Sequence, residues 1–188
     1  MTSRKVLNGV LTLAVLIAIV GLYRLTPTQK DIQDPTPVNG VVGRAVETPR
    51  FTLTVDGVRV GKKLRIPRSS PDRESRTNFV LIDATVTALR EPMYLKRVRV
   101  LTADGVAYLG ANRTGLDQTA LSGAELAPGI PVRGSFVVEL PADKLPGATL
   151  QVMEKSGFNE LEPEATVPLD VETPEVQDVV QLTTASAS

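Results

Sequence analysis

An alternation of apolar and other side chains in the middle of the sequence constrains the fold more than any other feature. Residues 78–89, NFVLIDATVTAL, repeat with the period of two that is typical of a β-strand. Five apolar side chains fall on one face of that strand: Val80, Ile82, Ala84, Val86 and Ala88. The other face carries Phe79 and Leu81. We therefore expect a central strand that is covered on both sides, or nearly so.

A second alternating stretch, VRGSFVVEL, lies between two signals for chain reversal. Pro128-Gly129 before it is typical of a turn. Pro141 directly after it ends the strand, because proline cannot donate a ladder hydrogen bond. Neighbouring residues of a strand point to opposite faces, so Phe136 is predicted to face the core and Val137 the other side.

The chain after residue 40 predicts about seven short strands and no amphipathic helix of good length. Asp104-Gly105, between two apolar runs, is typical of a tight hairpin. We predict an all-β domain, an immunoglobulin-like β-sandwich over residues 41–171, of roughly 130 residues and thus large enough to form a core without disulfides. The Cys…Trp…Cys pattern of antibody domains is absent, so the likeness is one of architecture. Residues 172–188 are predicted to be a flexible tail.

The N-terminus predicts a transmembrane helix ahead of this domain. Residues 6–23 are apolar and free of charge between Arg4-Lys5 and Arg24. A helix of that length rises about 27 Å, close to the ~30 Å hydrocarbon core of a bilayer. A cleaved signal peptide is the alternative, although small residues for a good cleavage site are missing. A helix of a soluble protein is a third interpretation, and a lipoprotein signal is excluded because there is no cysteine.

Charges around the span predict its orientation. Two basic side chains and the α-amino group precede it, so residues 1–5 are expected to stay in the cytoplasm. Residues 24–40, with Pro27, Pro35 and Pro37, are then an extracytoplasmic linker. The predicted location is the cell membrane, with a single span and the C-terminal domain outside the cytoplasm.

Composition excludes several kinds of chemistry. The chain has neither cysteine nor histidine, which removes thiolate and imidazole nucleophiles, bases and metal ligands. Lys+Arg and Asp+Glu are both 21, and this balance argues against a nucleic-acid partner. We expect no cofactor, no metal and no enzymatic activity. A hydrolase that uses two carboxylates is the enzymatic alternative.

Residues 59–76, here called the basic segment, hold seven basic and two acidic side chains. They are the candidate site for an anionic surface, such as lipid headgroups or a wall polymer. The residues proposed for this site are Arg59, Lys62, Lys63, Arg65 and Arg68. The alternative is a solvated loop whose charge is balanced by the acidic stretch 154–178, which has eight acidic side chains and one lysine.

The order of these signals resembles a known family. After the NFVLIDATVTAL strand come Asp104-Gly105 with Tyr108, then L-x-P-G at 126–129, the strand GSFVVELP, and an L-x-V strand at 150–152. This order is similar to extracytoplasmic immunoglobulin-like domains of unknown function from Gram-positive and actinobacterial envelopes. The fold of that family is similar to a secreted mycobacterial immunogenic protein. The resemblance implies location and architecture and no reaction.

These expectations combine into one function and one alternative. The chain is expected to be a non-enzymatic, membrane-anchored extracytoplasmic domain that binds an envelope protein, as an accessory to a transport or secretion complex. The alternative is a module that binds an anionic wall polymer, lipid headgroups or a small ligand. The oligomeric state is left open by the sequence.

Overall fold

The computed structural model describes residues 15, 16, 21, 35–69, 71–95, 97–110, 119–154 and 162–187. The chain divides into two units, Met1–Asp34 and Pro35–Ser188. The predicted span at 6–23 lies outside the described residues except for Val15, Leu16 and Gly21. Among the described residues, no helix combines the length and the apolar character needed to cross a membrane.

Residues 35–187 form two sheets. Sheet 1 has the strand order β1-β9-β8-β5-β6. Its strands are β1 (Thr36–Asn39), β5 (Arg97–Leu101), β6 (Ala107–Leu109), β8 (Thr149–Met153) and β9 (Pro163–Pro168). Only the β1–β9 pair is parallel; the other described pairs of this sheet are antiparallel.

Sheet 2 has the strand order β10-β3-β4-β7-β11, and β2 also pairs with β3. Its strands are β2 (Ala45–Glu47), β3 (Phe51–Arg65), β4 (Arg73–Ala88), β7 (Pro131–Leu140), β10 (Val176–Gln181) and β11 (Ser186–Ala187). Short 3-10 helices occupy Leu121–Gly123 and Ala142–Lys144. The two stacked sheets confirm the predicted all-β sandwich.

The main core lies between the sheets, where the alternation of β4 and β7 places it. Ile82 of β4 pairs with Phe136 of β7, and both side chains are fully buried. Val100 and Leu150 of sheet 1 belong to the same buried apolar cluster. The predicted inward face of both long strands is therefore confirmed.

The predicted turns are also present. Gly105 has φ +81° between β5 and β6, and Gly129 has φ +72° before β7. Such values favour glycine, which explains the residue choice at both turns. β7 ends at Leu140, directly before Pro141.

Two segment boundaries predicted from the sequence are wrong. The linker was expected to extend to residue 40, but residues 36–39 form β1, which pairs with β9. The segment 172–188 was expected to be a flexible tail, but β10 pairs in parallel with β3 and β11 pairs with β7. Strand edges of β9, β3 and β7 supply the backbone partners for these segments, and the composition of the segments does not reveal those partners.

A second apolar cluster explains why the C-terminal segment (172–187) is held. Phe79, Leu81 and Val137 lie on the face of sheet 2 that points away from the main core, yet they are buried. Val180 and Leu182 of the C-terminal segment pack in their cluster. Between β10 and β11 the chain passes from the β3 edge to the β7 edge, and the Ser135 N–H donates to the Thr183 carbonyl at 3.0 Å. The C-terminal segment is thus a cover for sheet 2.

The two ends of the sandwich differ in their chain connections and ion pairs. At the proximal end, defined by residues 35–36, 48–50, 89–95 and 124–130, the chain joins the domain at β1. Arg50, before β3, reaches Glu154, after β8, with 2.6 Å between Nε and Oε2, which ties the two sheets together there. β7 runs from this end to the far end over ten residues, or about 30 Å. At the far end Lys144 pairs with Asp104 at 2.8 Å.

Candidate functional site

The basic segment does not form a free loop. Residues 59–65 continue β3, residues 73–76 begin β4, and only 66–72 connect them. The pairing of the two strands shifts in register between Gly61 and Lys63. Beyond this shift Leu64 and Ile66 are buried in the second apolar cluster. The segment is therefore packed onto sheet 2, and its position is determined by apolar contacts as well as by charge.

Arg59 is the most constrained of the predicted site residues. Its Nε and Nη2 donate to the two carboxylate oxygens of Asp83 at 2.7 and 2.8 Å. Its Nη1 donates to the Gln181 carbonyl at 2.9 Å, and Nη2 also donates to the Thr183 hydroxyl at 3.0 Å. The bidentate pair with Asp83 fixes the guanidinium, and the other two hydrogen bonds then hold a backbone carbonyl and a side chain of the C-terminal segment. Arg59 therefore serves the fold in this structure.

Asp83 is the centre of that network. Ser135, fully buried on β7, donates its hydroxyl proton to Asp83 Oδ1 at 2.5 Å. The Thr183 N–H in turn donates to the Ser135 hydroxyl at 3.2 Å. Burial raises the pKa of Asp83, but the hydrogen bonds from Arg59 and Ser135 and the Arg59 charge outweigh it, so the pKa lies below its ordinary value. The sequence contained a signal for this network, since Asp83 and Ser135 are polar residues within apolar strands.

Two further residues of the predicted site lie beside acidic partners. Lys63 pairs with Glu74 at 2.7 Å, and Arg65 makes a bidentate pair with Asp72. The hydrogen bond to Glu74 raises the pKa of Lys63, and the one to Asp72 raises the pKa of Arg65.

Lys62 and Arg68 differ from that pattern. Lys62 is 4.0 Å from Asp178, and both side chains are well exposed, so this contact is weak. Arg68 is exposed, has φ +63°, and makes no ion pair with any residue that the structure describes. The acidic partners of the segment thus come mainly from its own hairpin and from Asp83, with one contribution from the acidic stretch 154–178.

The proximal end carries a small cavity that the sequence did not indicate. It measures ≈ 240 Å³ and is lined by Pro49, Arg50, Arg90, Glu91 and Met93. Arg50 pairs with Glu91 at 2.7 Å, whereas exposed Arg90 makes no ion pair within the described ranges. Pockets for drug-sized ligands hold roughly 300–1,000 Å³, so this cavity fits a single headgroup or small anion at most.

Exposed apolar side chains mark two places on the domain. At the proximal end Leu89 and Ile130 are exposed by 45% and 46%. On sheet 1, Leu109 of β6 is exposed by 69% and Val106 just before it by 46%. β6 is the last strand of sheet 1 on that side within the described part of the chain. An edge strand with exposed apolar residues is a place where another strand can add.

The carboxylate hydrolase requires two acids that converge in a cleft. In the described residues no group of three or more acidic side chains is placed to hold a metal ion. The one acid lining the proximal cavity is Glu91, and it already pairs with Arg50. The acid at this cavity therefore already has a structural partner, and among the described residues no second acid lines the cavity beside it.

Comparisons with known proteins bear on the fold alone. No protein-family model matches the chain, and no curated protein does. The yjhA protein from Bacillus subtilis is similar in structure, with a TM-score of 0.50 and 14% identity over 69% of this chain and 98% of that chain. At that identity the likeness shows a shared fold.

Two other solved structures have lower scores. An uncharacterized beta-sandwich protein from Clostridium difficile 630 has a TM-score of 0.48 and 10% identity, covering 77% of this chain and all of that one (100%). MPT63, a secreted protein from Mycobacterium tuberculosis, has a TM-score of 0.43 and 18% identity, covering 72% and 99%. The immunoglobulin-like arrangement and the family resemblance stay predictions.

Proposed function

We propose that this chain is a non-enzymatic, membrane-anchored extracytoplasmic domain whose role is to bind a protein of the cell envelope. The uncharged apolar run at 6–23 supports the anchor, and the basic residues before it support the orientation. The absence of histidine and cysteine supports a role in binding over one in catalysis.

The observation that carries the binding role is the edge strand β6. Leu109 is the most exposed of the large apolar side chains in the described residues, at 69%. Its neighbour across the strand pair is Arg99 of β5, so the exposed side chain stands on the outer face of an ordered sheet. An extended segment of a partner can bond to the backbone of such an edge while Leu109 and Val106 contact its side chains.

The alternative, binding of an anionic polymer through the basic segment, has weaker support. Arg59, Lys63 and Arg65 each have an acidic partner within 2.7 Å. An anion would have to displace those partners before it could bind. The side chains of Leu109 and Val106 at β6 are already exposed, so a partner protein that contacts them displaces no ion pair of theirs.

The test is capture of the full chain from membranes under mild detergent, with quantitative identification of co-purifying proteins. Leu109→Lys should deplete one protein that the parent retains, because a charge on the edge opposes strand addition. Val176→Lys, at another exposed apolar position, is the matched control and should retain it. Equal depletion by both variants, or by neither, would contradict the assignment of β6.

A further inference from the structure

We propose that the proximal end of the sandwich lies on the phospholipid surface of the membrane that anchors the chain. Leu89, Ile130 and Tyr94 are exposed on two neighbouring loops of this end. The loops are joined by bridges between Ala88 and Pro128 and between Met93 and Leu126. This inference rests on the anchor of the proposed function and adds the orientation of the domain and the surface that it uses.

The direction of the chain identifies the bilayer as the occupant. The domain begins at Pro35, and β1 starts beside Pro163 at the proximal end. The predicted span ends at residue 23, which leaves 11 residues, 24–34, between membrane and domain. A chain of 11 residues spans at most about 36 Å when fully extended. The tethered proximal end is therefore held at high local concentration near the bilayer.

The chemistry of the patch fits a phospholipid. Leu89 and Ile130 can enter the boundary between headgroups and acyl chains. Tyr94 has an aromatic ring and a hydroxyl that donates to Glu125, a combination that suits the interface. Exposed Arg90 stands next to Leu89 at the mouth of the proximal cavity and can bind a lipid phosphate. The apolar side chain of Leu89 and the guanidinium of Arg90 are on adjacent residues, which matches the position of the acyl chains next to the phosphate group in a phospholipid.

The far end provides an internal comparison. Val106, after the Asp104-Gly105 turn, is exposed by 46%, almost the same as Leu89 at 45%. It is separated from the proximal end by about the 30 Å length of β7. A domain that lies on its proximal end keeps Val106 in water.

Tryptophan scanning tests the orientation directly, because the chain has no tryptophan of its own. The full chain is reconstituted in phosphatidylcholine vesicles whose acyl chains are brominated near the headgroup, with Leu89→Trp, Ile130→Trp or Val106→Trp. We expect bromine to remove most of the emission at positions 89 and 130 and to leave position 106 unchanged. Each variant must keep the melting temperature of the parent.

A disruption variant completes the test. Tyr94→Trp reports on the patch, and adding Leu89→Asp with Ile130→Asp should abolish its quenching, whereas adding Val106→Asp should not. Flotation of the vesicles separates the two proposals. A chain that does not float overturns the anchor and this orientation with it. A chain that floats while positions 89, 130 and 106 are quenched alike, or are all unquenched, overturns the orientation and leaves the anchor standing.

Discussion

Asp83 joins β4 to the C-terminal segment through Arg59 and Ser135, and its side chain is only 18% exposed. Asp83→Asn leaves the Arg59 guanidinium without its carboxylate in a half-buried position, which should lower the free energy of unfolding by about 2 kcal/mol at pH 7. The folded pKa of Asp83 lies below its ordinary value, so the stabilisation is present above pH ~4 and is lost as the pH falls through the folded pKa.

Urea unfolding at pH 7 and at pH 3 measures both parts of this prediction. The difference in free energy of unfolding between the parent and Asp83→Asn should be smaller at pH 3, because Asp83 of the unfolded parent is then largely protonated and the stabilisation falls as the pH approaches the lowered folded pKa. Asp72→Asn, in the exposed pair with Arg65, is the control and should change stability less at pH 7. A gap that stays constant with pH would mean that the carboxylate charge is not what stabilises the fold.

Phe136 and Val137 show what a single residue reveals from sequence and what it does not. Phe136→Ala should cost about 3–5 kcal/mol, since the ring is fully buried in the main core. Alternation predicted correctly that Val137 faces away, yet it is only 4% exposed because the C-terminal segment covers it. Val137→Ala should therefore lower the free energy of unfolding by about 2 kcal/mol, which is less than the loss for Phe136→Ala but still substantial. Unfolding curves that show no loss for Val137→Ala would contradict the cover.

At the scale of elements, the strands with two apolar faces or a clear turn were predictable and the covering strands were not. β4 and β7 bury long alternating runs, and proline or glycine marks their ends. β10 reads VQDVVQ in a polar context, and this stretch is too short for its periodicity to distinguish a strand from a tail. Its conformation depends on the free edge of β3, a long-range partner that no local pattern specifies.

The contact between β10 and β3 can be tested by its steric fit. A Cβ on Gly61 would lie 2.7 Å from both Cγ atoms of Val180, which is too close to tolerate. Gly61→Ala should thus destabilise the parent by about 1–3 kcal/mol through overpacking. In a Val180→Ala background the same substitution should cost much less, a coupling that a double-mutant cycle in urea measures. Additive effects would place Val180 away from Gly61.

At the scale of the whole molecule, the sequence predicted a sandwich and a charge asymmetry but not how the charges are arranged. The net charge is zero, and two opposite clusters, 59–76 and 154–178, suggested that they neutralise each other. In the structure Lys63 and Arg65 form ion pairs within their own hairpin. Among the described residues of the basic segment, Lys62 is the one that forms an ion pair with the acidic stretch, at Asp178. Hairpin register decides these partners, and register depends on packing that a linear charge count does not contain.

Reversal of charge in the basic segment tests whether it is a site or a part of the fold. Replacing Lys62, Lys63 and Arg65 by Glu in the full chain sets them against Asp178, Glu74 and Asp72. We expect a lower melting temperature, with no salt-dependent binding of an anionic wall polymer by parent or variant. Adding Asp72→Lys and Glu74→Lys should restore the melting temperature, because the hairpin pairs are then exchanged.

A basic segment that binds an anionic polymer would give a different set of results. If the segment is a binding site, the parent binds the polymer at low salt and releases it near physiological salt, where charges are screened beyond about 8 Å. The triple variant would then lose binding with its melting temperature unchanged, and the compensating lysines would not restore the binding geometry at residues 62, 63 and 65. Three of the five predicted site residues already have close acidic partners. We therefore expect the triple variant to have a lower melting temperature, with no polymer binding by either protein.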